Sequence, residues 1–584
     1  MQHLYRLVPY MKPYRVGIAV GLFYVAAANA VAAFLPWLLG RIVDVIGWAV
    51  GMDYVLPLVG FFMLFVLVEG SLRFLMRRTL IGISRRLEYD LLNSLFAHVQ
   101  TLSASYFDRV RTGEIMSRAT NDIAQVRMVL GPGIMYTFST VTTLFFVLTM
   151  MVGISPALTL LALIPLPVLS LLIMFAARLL HRRFTLVQEN LAELTTEVQE
   201  NVSGIRVVKG HCREDGVIES FLRKSDALRR SNLAAARIFS AFWPLMVTVA
   251  GLSSVFILYF GGGMVIDGVI SLGDLVAFFA YLGLLIWPMM ALGWVISLLQ
   301  RGGAAMARIN ELMDTEPEIA DAPVPPAPIL PAAVEGSISF RGVSFAYDGE
   351  PVLRDIDLEI APGSTVAVVG PTGCGKSTLL KLVPRLYETK VGRVLVNGVD
   401  VRGLSLAALR GAIGYVPQET FLFSESIADN IAFGAHGREV SDEEIVGAAD
   451  AGRLAADIED FPQRYETILG ERGITLSGGQ KQRAAIARAL VGDPKIVLLD
   501  DCLSAVDAST EREILDSLRR ELRERTAIIV SHRMSSIADA DLIVVLEEGR
   551  ISERGSHGEL MANGGLYAEL WRKQQLSEEL EAVG

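Results

Sequence analysis

Five stretches with no charged side chain dominate the first half of this chain. They are Val16–Gly40 with 25 residues, Tyr54–Val68 with 15, Met128–Ala177 with 50, Ile238–Ile266 with 29 and Leu275–Gln300 with 26. A helix of about 20 apolar residues crosses a bilayer. Inside hydrocarbon every backbone donor and acceptor must be satisfied within the segment, so each run must be a helix. The long third run reads as two helices with a turn at Gly153–Pro156, GISP. That gives six spans, the second needing Glu69 or more to reach across. Composition agrees, with 52% hydrophobic residues, 20% charged and a mean hydropathy of +0.44. Glu69 falls near the cytoplasmic end of its span, and Arg73 one turn on is its expected partner.

Lys and Arg fix the orientation. The segment between spans two and three carries nine arginines from Arg73 to Arg127, and that between spans four and five carries eleven Lys or Arg from Arg178 to Arg237. The opposite loops offer only Arg41. Both long segments and both termini therefore read as cytoplasmic. Apolar residues three and four apart in LEYDLLNSLFAHVQTL and LVQENLAELTTEVQENV predict helices that continue out of the membrane. Tyr106–Asp122 is the candidate turn that touches a soluble domain. Residues 1–15 read as an elbow helix on the membrane surface rather than a signal peptide. With no evident organelle presequence, a bacterial inner (plasma) membrane is the expected location. Cys212, Cys374 and Cys502 are scattered and support neither a zinc site nor a disulfide framework.

The transmembrane domain is read as residues 16–313 and a Pro/Ala-rich linker as 314–335, containing DAPVPPAPILPAA. From residue 336 to 584 no uncharged run could span a membrane. Short β-rich runs such as STVAVVG, KIVLLD and TAIIVS alternate with helical ones, the mark of an α/β domain. A net charge of −10 and the absence of any nucleic-acid signature argue against a nucleic-acid partner.

GPTGCGKS follows the apolar strand TVAVV and opens the helix STLLKLV, the setting of a phosphate loop. Gly370, Pro371, Thr372, Gly373, Cys374, Gly375, Lys376, Ser377 and Thr378 are the predicted nucleotide contacts. The glycines let backbone N–H groups face anionic oxygens at a helix N-terminus. Lys376 is expected on the β- and γ-phosphates and Ser377 on Mg²⁺. IVLLD is a buried strand delivering Asp500 to the Mg²⁺. The next residue, Asp501, stands where the attacking water is polarised. Compared with glutamate its carboxylate is one methylene shorter, a retraction of about 1.5 Å. Misplacement by about 1 Å can cost about 10²-fold in rate.

LSGGQ, with Ser477, Gly478, Gly479 and Gln480, reads as a second anion-binding helix start, which need not serve the same nucleotide. With these motifs in this order the whole chain resembles ATP-binding-cassette exporters in the half-transporter form. The resemblance implies a multidomain membrane protein, a six-helix α transmembrane domain followed by an α/β P-loop nucleotide-binding domain that hydrolyses ATP with Mg²⁺. It implies Tyr347 on adenine, Gln418 as the Mg²⁺-sensing glutamine and His532 as the switch histidine at the γ-phosphate. It also implies that Ile468–Gly473 meets coupling helices, that Ser504–Asp507 faces a partner domain and that TGEIMSRATND is the first coupling segment. In this family two nucleotide domains pair head to tail, each ATP lying between one phosphate loop and the other chain's LSGGQ. Asp501 resembles the degenerate site of one subunit in heterodimeric bacterial exporters, whose partner chain would carry the catalytic glutamate.

The expected activity is ATP-driven export of hydrophobic or amphipathic cargo such as drugs, lipids or peptides. The spans offer no charged side chain for a central cavity apart from Glu69. Phe242, Trp243, Trp287 and Met290 are the candidate wall residues. Rival readings are an importer built on the exporter fold, for instance for a metal–chelator complex, and an ATP-gated channel or regulatory subunit. The six spans exclude a soluble DNA-organising ATPase.

Overall fold

A computed structural model describes residues 2–48, 51–321, 335–470, 473, 475–502, 508–531, 533–534 and 537–583. Two compact units divide the chain. One comprises Met1–Gln100 with Thr112–Thr315, the other Thr101–Arg111 with Glu316–Gly584.

The first unit is helical. Arg15–Gly47 carries the first apolar run, and Met52–Thr101 carries the second in a helix of 50 residues. At 1.5 Å per residue the latter is about 75 Å long, over twice the hydrocarbon thickness of about 30 Å. It must therefore continue into water, as the periodicity of its second half predicts. The third run breaks at Ser155, between helices Ile134–Ile154 and Pro156–Leu163. The Ser155 hydroxyl caps the new helix by accepting from the Leu158 N–H at 3.3 Å, and Pro156 needs no donor at that first position. Helices Pro165–Ser203, Glu214–Phe256 and Leu272–Met313 follow. Among the described residues four helical stretches are long and apolar enough to cross a membrane: His3–Gly47, Met52–Thr101, Thr112–Ile154 and Leu272–Met313. The remaining apolar runs lie on the Pro165–Ser203 and Glu214–Phe256 helices, part of whose side chains fall outside the described residues.

Val147, Met151, Leu158, Phe278, Tyr281 and Leu285 form an apolar core between these helices. Near it, the Arg15–Gly47 and Leu272–Met313 helices are clasped by a polar contact. Buried Asp44 accepts from the Gly273 N–H at 2.7 Å and from the Ser271 hydroxyl at 2.7 Å. The N-terminal elbow is two 3₁₀ turns around a short helix, broken by Pro9 and Pro13. It buries Leu7 and ties to the end of the last helix through Asn310 on the His3 carbonyl and an Arg6–Asp314 ion pair.

The second unit contains two sheets. One is four-stranded and antiparallel, ordered β2-β1-β4-β5, from Leu353–Ile360, Ile338–Phe345, Val391–Val396 and Val399–Asp400. The other is six-stranded, ordered β10-β9-β3-β8-β7-β6. Its strands β3 (Thr365–Val369), β6 (Ile413–Val416), β7 (Ile496–Asp500), β8 (Thr526–Val530) and β9 (Leu542–Glu547) run parallel, and β10 (Arg550–Gly555) is antiparallel at the edge. Every residue of β7 is buried, as expected for a strand covered on both faces. β8 lies between β3 and β7, so the loops leaving β3 and β7 open at the same carboxyl edge, where ligands bind in open α/β sheets.

Thr101–Arg111 packs within this second unit. The Ile319 N–H donates to Ser103 Oγ at 2.8 Å, Ser105 and Arg109 both bond Glu318, and the Tyr387 hydroxyl donates to Asp108. The predicted turn, Tyr106–Asp122, therefore straddles the division. Its TGEIMSRATND part stays with the first unit because Arg118 and Asp122 are committed there, to Glu114 and Arg308.

Candidate nucleotide site and family

β3 ends at Val369 and the chain turns through Gly370 and Gly373 into the helix Lys376–Leu382. Gly370, at φ +147°, passes so close to Leu546 that a Cβ would lie 2.1 Å from its carbonyl oxygen. Only glycine fits that turn. The Lys376 ammonium is buried and donates to the Gly370 and Pro371 carbonyls at 2.8 and 2.9 Å. The Ser377 hydroxyl donates to Asp500 Oδ1 at 2.8 Å. Burial pushes the Asp500 carboxyl above its ordinary range, opposed by the Ser377 hydrogen bond and by Lys381. Burial also raises the Cys374 thiol, and pushes Cys502 up to about 12.

Thr372, Gly373, Gly375, Lys376, Ser377, Thr378, Gln418, Asp500 and Asp501 line one cavity of about 180 Å³, with Val352 and Val530. Sequence reasoning missed the two valines because neither carries a motif. Tyr347 stands beside the loop, its hydroxyl 3.1 Å from Thr378 Oγ1 and its ring edge-on to Tyr387, centroids 5.0 Å apart. Tyr387, beyond the end of the Lys376–Leu382 helix, had no periodic or motif signal either. Asp501 is buried with φ +47°, and its N–H donates to the Val530 carbonyl at 2.9 Å. Ser477 caps the Gly478–Leu490 helix in a reciprocal box with Gln480, whose amide also reaches Asp457 at 3.0 Å. Ser477, Gly478, Gly479 and Gln480 are absent from the cavity that holds Lys376. His532, Ser504–Asp507 and the Glu471–Arg472 part of Ile468–Gly473 lie outside the described residues.

The ABC transporter transmembrane region matches residues 18–289, and the ABC transporter domain matches residues 353–504. Over 571 residues, 97% of each chain, the sequence is 36% identical to a probable multidrug resistance ABC transporter ATP-binding/permease protein, YheI of Bacillus subtilis. The chain belongs to the ABC transporter family. It is an exporter-type transport ATPase, a transmembrane domain followed by a nucleotide-binding domain. An ATP-dependent lipid A-core flippase from Syntrophus aciditrophicus is 33% identical over 99% of this chain and 96% of its own. A solved bacterial Atm1-family ABC exporter with ATP bound superposes with a TM-score of 0.79 at 29% identity, over 96% of this chain and 99% of the other.

The membrane unit of this exporter holds a cavity of about 300 Å³ between the Arg15–Gly47, Met52–Thr101, Ile134–Ile154 and Leu272–Met313 helices. Trp287 lines it as expected. The side chains of Phe242, Trp243 and Met290 lie outside the described residues. The expectation of an uncharged lining is overturned, because Arg73 and Arg77 line the cavity beside Asn29, Ser139, Thr140 and Thr143. Glu69 does not line it but pairs with Arg73. Counting charge-free runs ended the second span before these arginines and so did not bring them to a cavity. They lie four apart on one face of a continuous helix, and long stems carry their charges well away from their own backbone.

Proposed function

We propose that this exporter moves hydrophobic or amphipathic compounds out across a bacterial inner membrane, both termini and the nucleotide domain lying in the cytoplasm. It works as one half of a dimer whose other chain supplies the catalytic glutamate. The observation that carries this reading is the setting of Asp501. Its shorter side chain could regain reach only if its backbone advanced. That backbone is buried, held in the left-handed region and tied to Val530. The site formed by Lys376, Asp500 and Asp501 binds ATP and hydrolyses it slowly. Because Ser477–Gln480 stand outside this cavity, they are free to complete the partner's site.

Lys376 exchanges its loop carbonyls for phosphate oxygens when ATP binds, and Tyr347 offers a ring face for the adenine. Ser377 and Asp500 present hard oxygens 2.8 Å apart with Gln418 on the same cavity. That donor set suits Mg²⁺, which takes few protein ligands and keeps waters. Bound there, the ion would neutralise charge between the β- and γ-phosphates.

The test is ATPase activity of the full chain purified alone in lipid, beside Asp501→Glu and Lys376→Ala. Near-background turnover that rises about 10²-fold in Asp501→Glu supports the degenerate site. Strong wild-type turnover abolished by Lys376→Ala would show that Asp501 suffices and the chain works as a homodimer.

A further inference from the structure

Beside the start of the LSGGQ helix stands a carboxylate that belongs to no motif. Asp457 lies on the helix Ala455–Glu459, and two side chains of the Gly478–Leu490 helix converge on it. Its Oδ1 accepts from Gln480 Nε2 at 3.0 Å and from Arg483 Nη2 at 3.0 Å. Its Oδ2 lies 2.7 Å from Arg483 Nη1, which also donates to the Arg453 carbonyl at 2.8 Å. Both charged side chains are largely covered, that of Asp457 being 22% exposed and that of Arg483 14%. Gln480 turns its other end to Ser477. It accepts from the Ser477 N–H at 2.9 Å, while the Ser477 hydroxyl accepts from the Gln480 N–H at 3.3 Å.

An ionised carboxylate only accepts hydrogen bonds, whereas an amide has a donor end and an acceptor end. Asp457 therefore decides which way the Gln480 amide faces. The NH₂ group must meet Asp457, so the carbonyl must meet the Ser477 N–H. Reversed, the amide would set its NH₂ against that N–H, and half of the capping box would be lost. The box occupies the backbone donors of Ser477 and Gln480. The Gly478 and Gly479 N–H groups, at the first two helical positions, have no partner within the helix and stay available to an anion. Ser477 and Gly478 are exposed, as a group that meets a second chain must be. An unpaired carboxylate this near would repel phosphate, and Arg483 cancels that charge at its source.

We propose that Asp457 is a positioning residue for ATP hydrolysis at the partner's site. It fixes the Gln480 amide and, through it, the Ser477 and Gly478 groups that meet the nucleotide held by the other chain. The inference rests on the reading above that Ser477–Gln480 complete the partner's site, and it extends that site to a residue of an earlier helix. Asp457 touches no nucleotide itself. ATP is held first by a phosphate loop and meets LSGGQ only when two chains close, so losing Asp457 lowers kcat and spares KM.

The experiment uses the full chain in lipid nanodiscs, in whichever of wild type and Asp501→Glu hydrolyses ATP. Strong wild-type turnover would sink the slow-site reading and leave this test intact. Asp457→Ala should lower kcat about tenfold, the margin of a hydrogen bond to a charged group, with KM for ATP within about twofold. Asp457→Asn, whose Oδ1 still accepts from Gln480, should recover most of that loss. Gln480→Leu keeps the Asp457–Arg483 pair and removes the amide. It should reproduce the fall in kcat, and it decides the matter even if Asp457→Ala does not fold. The second measurement needs no turnover: amide hydrogen exchange over Leu476–Ala484 without nucleotide. Asp457→Ala should speed that exchange severalfold. Adding Gln480→Glu should restore protection, because both oxygens of a glutamate accept and no orientation has to be chosen. Wild-type kcat in Asp457→Ala or in Gln480→Leu overturns the proposal. Equal loss in Asp457→Ala and Asp457→Asn also overturns it, since charge alone would then be at work. Unchanged exchange in Asp457→Ala does the same, and where neither form turns over, exchange alone decides.

Discussion

The ring of Tyr347 meets the ring of Tyr387 edge-on at 85°, and the Tyr387 hydroxyl donates to Asp108. One side chain therefore touches both the tyrosine beside the phosphate loop and the helix Ala104–Arg109. Tyr387→Phe keeps the ring contact and deletes the hydrogen bond. A net hydrogen bond contributes about 0.5–1.5 kcal/mol. Amide hydrogen exchange across Thr101–Arg111 should accelerate by about tenfold at most, with ATP affinity unchanged. Unchanged exchange would mean that Ser103 and Glu318 hold the segment without Tyr387.

The buried Asp500 carboxyl titrates above its ordinary range because burial penalises the anion. A raised acid pKa means that its contribution is most favourable in acid and is lost as pH rises through the folded value. The nucleotide-free protein therefore carries a cost at neutral pH that Asp500→Asn removes. Thermal unfolding should show Asp500→Asn more stable than wild type at pH 7, with the gap closing as pH falls through the range where Asp500 protonates. The same substitution should abolish ATP hydrolysis. A gap that widens on acidification would contradict the assignment.

Gly273 lies against Gly40 so closely that a Cβ on Gly273 would sit 2.0 Å from the Gly40 carbonyl oxygen. Gly273→Ala must push the two helices apart, an overpacking cost of about 1–3 kcal/mol. Asp44→Ala leaves the Gly273 N–H and the Ser271 hydroxyl without that acceptor, at about 1–3 kcal/mol for a buried group left unpaired. Both variants should lower the unfolding temperature of the detergent-solubilised chain. Gly47→Ala, where nothing lies within 4 Å of a Cβ, is the neutral control.

Ser477–Gln480 stand outside the Lys376 cavity. In the chain purified alone, photo-crosslinking of an azido-ATP should be lost in Lys376→Ala and kept in Ser477→Ala. Equal loss in both would indicate that an intact dimer forms before ATP is held. Ser477→Ala also removes a helix cap, at about 1 kcal/mol, so its folding is checked by circular dichroism.

The sequence by itself determined the features that depend on neighbours along the chain. Uncharged runs set apolar helices, Ser155–Pro156 set a helix start, and GPTGCGKS after TVAVV set a glycine turn into a helix. Each is a local constraint on backbone, charge or periodicity, and each is legible in a few consecutive residues. Asp501 was legible as a shortened carboxylate, but its pinning to Val530 required β7 and β8 to pair side by side. Tyr387 on Asp108 joins residues far apart in the chain, so no periodicity announces it. Arg73 and Arg77 were not expected at a cavity because counting ends a span at the first charge. Only the packing of four helices around one cavity decides which side chains line it, and it brings two guanidinium groups to a lining that the sequence read as uncharged.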